Sequence, residues 1–196
     1  MAQIFDEILA RGVRQGQIPA RSQEARDWFR QKARQSRSNA AYPKNIIDGS
    51  DKRKPRLGPG RMLTFFYDPK TKADLPYYDR FPLIFFVQPA KGGFHGINLH
   101  YLPPRLRAVL MDRLYELASD KKYNEDTRLE MSYKILNGAS KYNYFKPTFK
   151  HYLFNHVQSR VVEVSSAEWD IALFLPTERF EKASKSTVWK DSRKMI

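Results

Sequence analysis

Cysteine is absent from this chain. That removes a disulfide framework, a thiolate metal site and a Cys nucleophile together, and it fits a reducing compartment or a particle assembled inside a cell. Histidine is scarce: His95, His100, His151 and His156 are the only four, in two pairs each five residues apart. Five residues turn a helix by about 500°, which leaves the second ring about 140° round from the first, and on a strand an odd spacing sends the two rings to opposite faces. With no HExxH either, no metal site is expected. Long apolar runs are missing too: LIFFV and IALFL are short against the roughly 18 residues of a membrane span. The beginning, MAQIFDEILARG, lacks a basic-then-apolar leader, so no signal peptide is read. No GxSxG, no Ser-x-x-Lys set and no P-loop occurs. A nuclease would need clustered carboxylates for Mg²⁺. The nearest set, Asp68, Asp74 and Asp79, is interleaved with Lys70, Lys72 and Arg80, and local ion pairing explains it more simply. The expectation is a non-enzymatic protein with no cofactor and no metal.

What the chain does have is positive charge: 35 Lys and Arg against 21 Asp and Glu, a formal net charge of +14 over 196 residues. Residues 21–61 hold twelve of the basic residues and four of the acidic ones, so more than half of the excess sits in about a fifth of the length. Charge gathered this way repels itself, and a polyanionic partner offsets it. Against that stands an apolar content of 41%, with 13 Phe and 11 Tyr, enough for a packed core. The length suits one domain with an arm. The division read from composition is a basic N-terminal arm over 1–61, a globular body over 62–180 and a polar basic tail over 181–196.

In the arm, residues 3–10 have the pattern of a short amphipathic helix, weakened by Gly12 and Gly16. A second helix is expected over 22–36, with Ser22 as N-cap and Glu24 and Asp27 near its favourable N-terminal end. At about 100° per residue, Ala25, Trp28, Phe29 and Ala33 share one face and Arg26, Arg30, Arg34 and Arg37 another. No acid lies at i±4 on that stripe, and Arg is the better phosphate fork. The bland alternative is a solvated charged face. Residues 38–61, with three Pro and three Gly, are read as an extended linker without regular helix. Their cluster Lys52, Arg53, Lys54 and Arg56 can follow a phosphate backbone, act as a nuclear-localisation-like run, or only keep a linker soluble.

In the body, MLTFFY, PLIFFV and GFHGINLHY are short β-branched or aromatic runs bounded by turn residues, as strands are. The glycines at 92, 93 and 96 point to a tight turn followed by a bulge. Pro103-Pro104 opens a helix over 104–118, with Leu106, Val109, Leu110, Leu114 and Leu117 facing the sheet. Another helix is expected over 125–137, a strand over 160–164, and a helix begun by the Ser165/Glu168 capping box and ended by Pro176. The fold class is α+β: a small curled antiparallel sheet, of a size that suits an SH3-like barrel, packed with helices. In 139–158, Tyr142, Tyr144, Phe145, Phe149 and Tyr152 alternate with Lys141, Lys146 and Lys150. Such a stretch is either core with snorkelling lysines or a stacking surface for single-stranded nucleic acid.

Three segments carry a resemblance: LPYYDRFPLIFF (75–86), GFHGINLHYLPPRLRAVLMDRL (93–114) and EWDIALFLPTERF (168–180). They are similar to a family of small structural or DNA-associated virion proteins of T4-like contractile-tailed bacteriophages, over about residues 20–196. The resemblance implies assembly in a bacterial cytoplasm into a virion, no cofactor, and partners made of phage protein and packaged DNA; it carries over no catalytic residues. Two functions are therefore expected. The first is a virion structural or assembly component of head, neck, tail or baseplate, docked through its basic arm on other virion proteins and touching double-stranded DNA. The second is a protein that binds and protects phage DNA termini. The binding residues expected in either case are Arg26, Arg30, Arg34, Arg37, Lys52, Arg53, Lys54 and Arg56. In the motif itself, Arg80 is expected to pair with Asp79 or Asp74, while Asn98, His100 and Tyr101 lock the sheet to the helix.

Overall fold

A computed structural model describes residues 3–17, 22–36, 41–50, 55, 57–119, 134 and 143–195. Its centre is an antiparallel sheet of five strands: β1 (Met62–Thr64), β3 (Leu83–Ala90), β4 (Gly93–Asn98), β5 (Phe149–Leu153) and β6 (Val162–Val164), in the order β5-β4-β3-β1-β6. A two-stranded ribbon pairs β2 (Tyr78–Asp79) with β7 (Phe180–Glu181). Among the described residues there are six α-helices: α1 (Gln3–Arg14), α2 (Gln23–Gln35), α3 (Pro43–Gly49), α4 (Pro104–Ser119), α5 (Trp169–Phe174) and α6 (Lys185–Lys194). The α+β class is as expected. The sheet is open, however: β5 and β6 are its two edges, so no barrel closes.

Period-2 alternation explains why Leu83–Val87 is an unbroken apolar run. Leu83, Phe85 and Val87 join the helices' core, while Ile84 and Phe86 point the other way. The helix side gathers Phe5 and Ile8 from α1, Phe29 and Ala33 from α2, and Ile46 and Ile47 from α3, together with Leu110 and Met111 from α4. The opposite side is a smaller aromatic cluster of Phe65, Tyr67, Phe86, Phe94 and Tyr152. Its rings meet mostly edge to face, Phe65 on Tyr152 at 5.4 Å and Tyr67 on Tyr152 at 4.9 Å between centroids. Lys91-Gly92 turns β3 into β4, with Gly92 in the left-handed region at φ +70. The bulge lies on β3, between Phe86 and Gln88, rather than among the glycines.

The N-terminal third differs from the linker picture. α1 runs on through Gly12 to Arg14, and the glycine lets α2 approach, since an added Cβ there would lie 2.4 Å from the Phe29 ring. Residues 43–49 are helical after all: Pro43 occupies the first turn, the one helical place where a missing N–H costs nothing. All three helices bury apolar side chains in the same core as the sheet. At the other end, 185–194 is the helix α6, capped by Ser184 and seated through buried Val188 and Ser192. On α4, Leu110 is buried and Leu106 packs on the core as expected, but Val109 is exposed and Arg107 is buried; the side chains of Leu114 and Leu117 lie outside what is described. The helix expected over 125–137 lies outside the described residues except for helical Lys134.

The motif residues are architectural. Asp79 takes the His100 Nδ1–H at 2.7 Å and the Asn98 amide at 3.1 Å on one oxygen. Its other oxygen accepts the Phe81 and Arg179 backbone N–H groups. Asn98 also reaches the Tyr152 hydroxyl, and Thr177 Oγ1 lies 3.2 Å from His100 Nε2. The expected lock between sheet and helix is corrected: the Asn98 and His100 side chains tie to Asp79 on β2, Tyr152 on β5 and Thr177, and the Tyr101 ring meets Tyr77 and Phe180, none of them on α4. Asp79 is spent on His100, and Arg80 pairs with Glu181 instead.

Candidate nucleic-acid interface

The expected arginine stripe on α2 divides into three. Arg30 is buried: Nε donates to Asp170 at 2.7 Å, one terminal amine to Asp112 at 2.6 Å, and the other to Asp27 at 3.2 Å. Burial works against its charge, but Asp112 and Asp170 outweigh it and hold the guanidinium above its ordinary pKa. Arg26 lies 3.6 Å from the same Asp112. The reading of an uncompensated stripe is therefore corrected for these two: Asp27 lies on α2 itself, three residues before Arg30, where a search at i±4 misses it, and Asp112 and Asp170 come from α4 and α5. Arg34 is exposed, with its guanidinium over the Phe174 ring at 4.3 Å. Arg37 lies outside the described residues, as do Lys52, Arg53, Lys54 and Arg56.

Arg34 opens onto a groove of about 860 Å³. Its floor is apolar: Pro103, Pro104, Leu106 and the Trp189 indole. Its rim is basic, formed by Arg34 from α2, Arg105 from α4 and Arg193 from α6. All three are exposed, and among the described residues none is paired with a carboxylate. The geometry follows from local chemistry. Pro104 begins α4 and so places Arg105 in its first turn, beside the groove. The Trp189 N–H donates to the His100 carbonyl at 2.8 Å, which fixes the ring. Arg193 donates from Nε to the Trp189 carbonyl one turn back, which holds it at the groove's edge.

Beneath the groove, buried Arg107 holds the walls together. It donates to the carbonyls of Leu102, Leu173 and His100 and meets Glu178 at 2.7 Å. It thereby ties α4 to α5 and to the 3₁₀ turn Leu99–Tyr101. Burial pushes the Glu178 carboxyl up, but the Arg107 charge prevails and holds it below the usual carboxylate range.

Arg105, Trp189 and Arg193 were not among the residues expected from sequence. Arg105 follows directly on Pro103-Pro104 and could have been noticed there. Trp189 lay in a stretch read as tail, where an amphipathic 185–194 segment behind an N-capping Ser184 was the missed signal. Of the aromatic-basic stretch, Tyr152 belongs to the aromatic cluster and Phe149 packs against the helix-side core, while Tyr142 and the side chains of Tyr144 and Phe145 lie outside what is described. Asp68 pairs with Lys72 at 2.9 Å, and the described residues hold no group of three or more His, Asp or Glu able to bind a metal. No helix among them is long and apolar enough to cross a membrane.

Residues 5–193 match the family described as Phage T4 terminal DNA protecting protein, and the chain belongs to that family. No curated protein and no solved structure matches it.

Proposed function

We propose that this member of the terminal DNA protecting family binds the ends of duplex DNA in the groove between α2, α4 and α6 and shields them without catalysis. The observation that carries the reading is the groove itself, a rigid apolar floor ringed by three arginines that no described carboxylate neutralises. A duplex end has the complementary shape: a flat aromatic base-pair face surrounded by phosphates. The Trp189 and Pro103-Pro104 floor suits the first and the Arg34, Arg105 and Arg193 rim the second. The partner is double-stranded DNA carried by the virion. The family description supports this reading over docking on a larger virion assembly, and it offers no support for a tail, neck or baseplate position.

Phosphate contacts carry no sequence information, so binding is indifferent to sequence and steep in salt. Three phosphate contacts on B-form duplex give a log–log salt slope of about −2.7. The test is protection of a linear duplex from a processive exonuclease, with a closed circle as binding competitor. Protection at low salt that a circle does not compete away, and that is lost in the Arg34→Glu/Arg105→Glu/Arg193→Glu triple variant, is the expected result. Equal binding to circle and linear DNA would reduce the protein to a general duplex binder. Absence of any DNA binding would leave the rim as a protein-docking face.

A further inference from the structure

A second concavity, of about 330 Å³, is lined by Tyr101, two residues from the groove's Pro103, and shares no lining residue with the groove. Its walls are tyrosines: Tyr77 and Tyr78, partly exposed, and Tyr101 and Tyr152, buried. One wall is the 69–75 loop, which is built rather than loose. Lys182, itself held at φ 68, places its ammonium against the carbonyls of Lys72, Ala73 and Leu75 at 2.6, 2.8 and 3.0 Å. A positive φ in a non-glycine residue is a cost that the surroundings must hold in place.

Lys150 lines this pocket with its ammonium 4.3 Å from the centroid of the Tyr101 ring. Among the described residues no carboxylate, carbonyl or hydroxyl accepts a hydrogen bond from it, and its ammonium rests on the ring face. Asp79 reaches the pocket floor, but both of its oxygens are engaged by His100, Asn98, Phe81 and Arg179. Burial alone depresses the Lys150 pKa, as expected for a cation taken from water and given no counter-ion. A half-buried ammonium beside aromatic rings, with Lys70 at the rim, is a site prepared for an anion that carries a flat ring.

We propose that this pocket takes one unpaired nucleotide at a DNA terminus, its phosphate on Lys150 and its base against the partly exposed Tyr77 and Tyr78. The inference rests on the DNA-end reading and deepens it. Tyr101 lines the pocket and Pro103 the groove, two residues apart, so their Cα atoms are at most about 7.6 Å from each other. A duplex seated in the groove can therefore pass its terminal unpaired nucleotide over this segment into the pocket.

Equilibrium titrations with three probes test it: a blunt duplex, the same duplex with a short unpaired extension on either strand, and dAMP alone. The extended duplex is expected to bind about tenfold tighter than the blunt one, the range for one stacked base. Lys150→Met keeps the aliphatic stem, and it is expected to abolish that preference and the saturable binding of dAMP while leaving blunt-duplex affinity unchanged. Tyr77→Ala, at a partly exposed position, is expected to reduce the same preference and guards against a folding defect in the first variant. Equal affinity of the wild type for blunt and extended duplexes, or a preference that survives Lys150→Met, overturns the proposal. If the wild type binds no duplex, the DNA-end reading fails. The dAMP arm then decides the pocket alone: saturable binding lost in Lys150→Met keeps it as a mononucleotide site, and no binding removes it.

Discussion

Arg30 and Arg34 stand one helical turn apart on α2, yet they belong to different regions. Arg30 and Arg107 form an interior set, each meeting buried carboxylates or carbonyls on several elements. Arg34, Arg105 and Arg193 form a rim set, exposed around an apolar floor. The difference teaches that charge excess does not locate function. An arginine whose fork is filled from within the protein is part of the frame, and only one whose fork is left open can take a phosphate.

The comparison is broken most severely from the inside. Arg30→Ala removes the guanidinium that faces buried Asp170, and breaking a buried ion pair from one side costs about 3–5 kcal/mol. Chemical denaturation is expected to show it, and Arg107→Ala should match it through Glu178. A cost below about 1 kcal/mol would show that the interior set is not structural. The sharper form adds Asp170→Leu and Asp112→Leu to Arg30→Met; stability is expected to recover, because an apolar trio removes the unpaired charge along with the pair.

Reversing the rim is expected to do the opposite. The Arg34→Glu/Arg105→Glu/Arg193→Glu variant keeps a melting profile close to the wild type's, as exposed sites shift stability by about 0.5 kcal/mol or less and the Arg34 contact with the Phe174 ring adds about 0.5–1 kcal/mol. Its DNA binding falls away, however. Wild-type affinity is expected to drop about fortyfold between 50 and 200 mM salt, and the variant's far less. Filter binding across that range checks both. A large loss of stability would place these arginines in the frame.

Acid separates the two sets by a third route. Burial works to raise the Asp79 pKa, but the neighbouring His100, the Asn98 amide and the Phe81 N–H win and hold it below the ordinary value. A depressed folded pKa contributes stability above the unfolded value, near pH 4 for Asp, and loses it as pH falls through the folded one. Glu178, held down by Arg107, acts in the same direction. Unfolding free energy is therefore expected to decline on acidification below about pH 4, and Asp79→Asn to flatten that decline. An unchanged slope in the variant would remove Asp79 as a source.

The smallest effect belongs to the residue between the sets. Arg26 lies 3.6 Å from an Asp112 that is already bonded to Arg30 at 2.6 Å. Arg26→Ala is expected to cost about 0.2–1 kcal/mol, the range of a partly exposed pair. A cost near that of Arg30→Ala would move it into the interior set.

By itself the sequence determined the local and periodic features. The Leu83–Val87 strand, the Pro104 helix start, the Ser22 cap and the Ser165/Glu168 box were all legible, because each rests on neighbours a few residues apart. The net charge and the absence of thiols were equally plain. Where Arg30 finds its two distant partners was decided only by the tertiary structure, since Asp112 and Asp170 lie 82 and 140 residues away. The same is true of the groove, whose rim comes from residues 34, 105 and 193 on three helices. Helix periodicity states which side chains share a face. What that face meets depends on contacts across the chain, and for a cation those contacts decide between frame and interface.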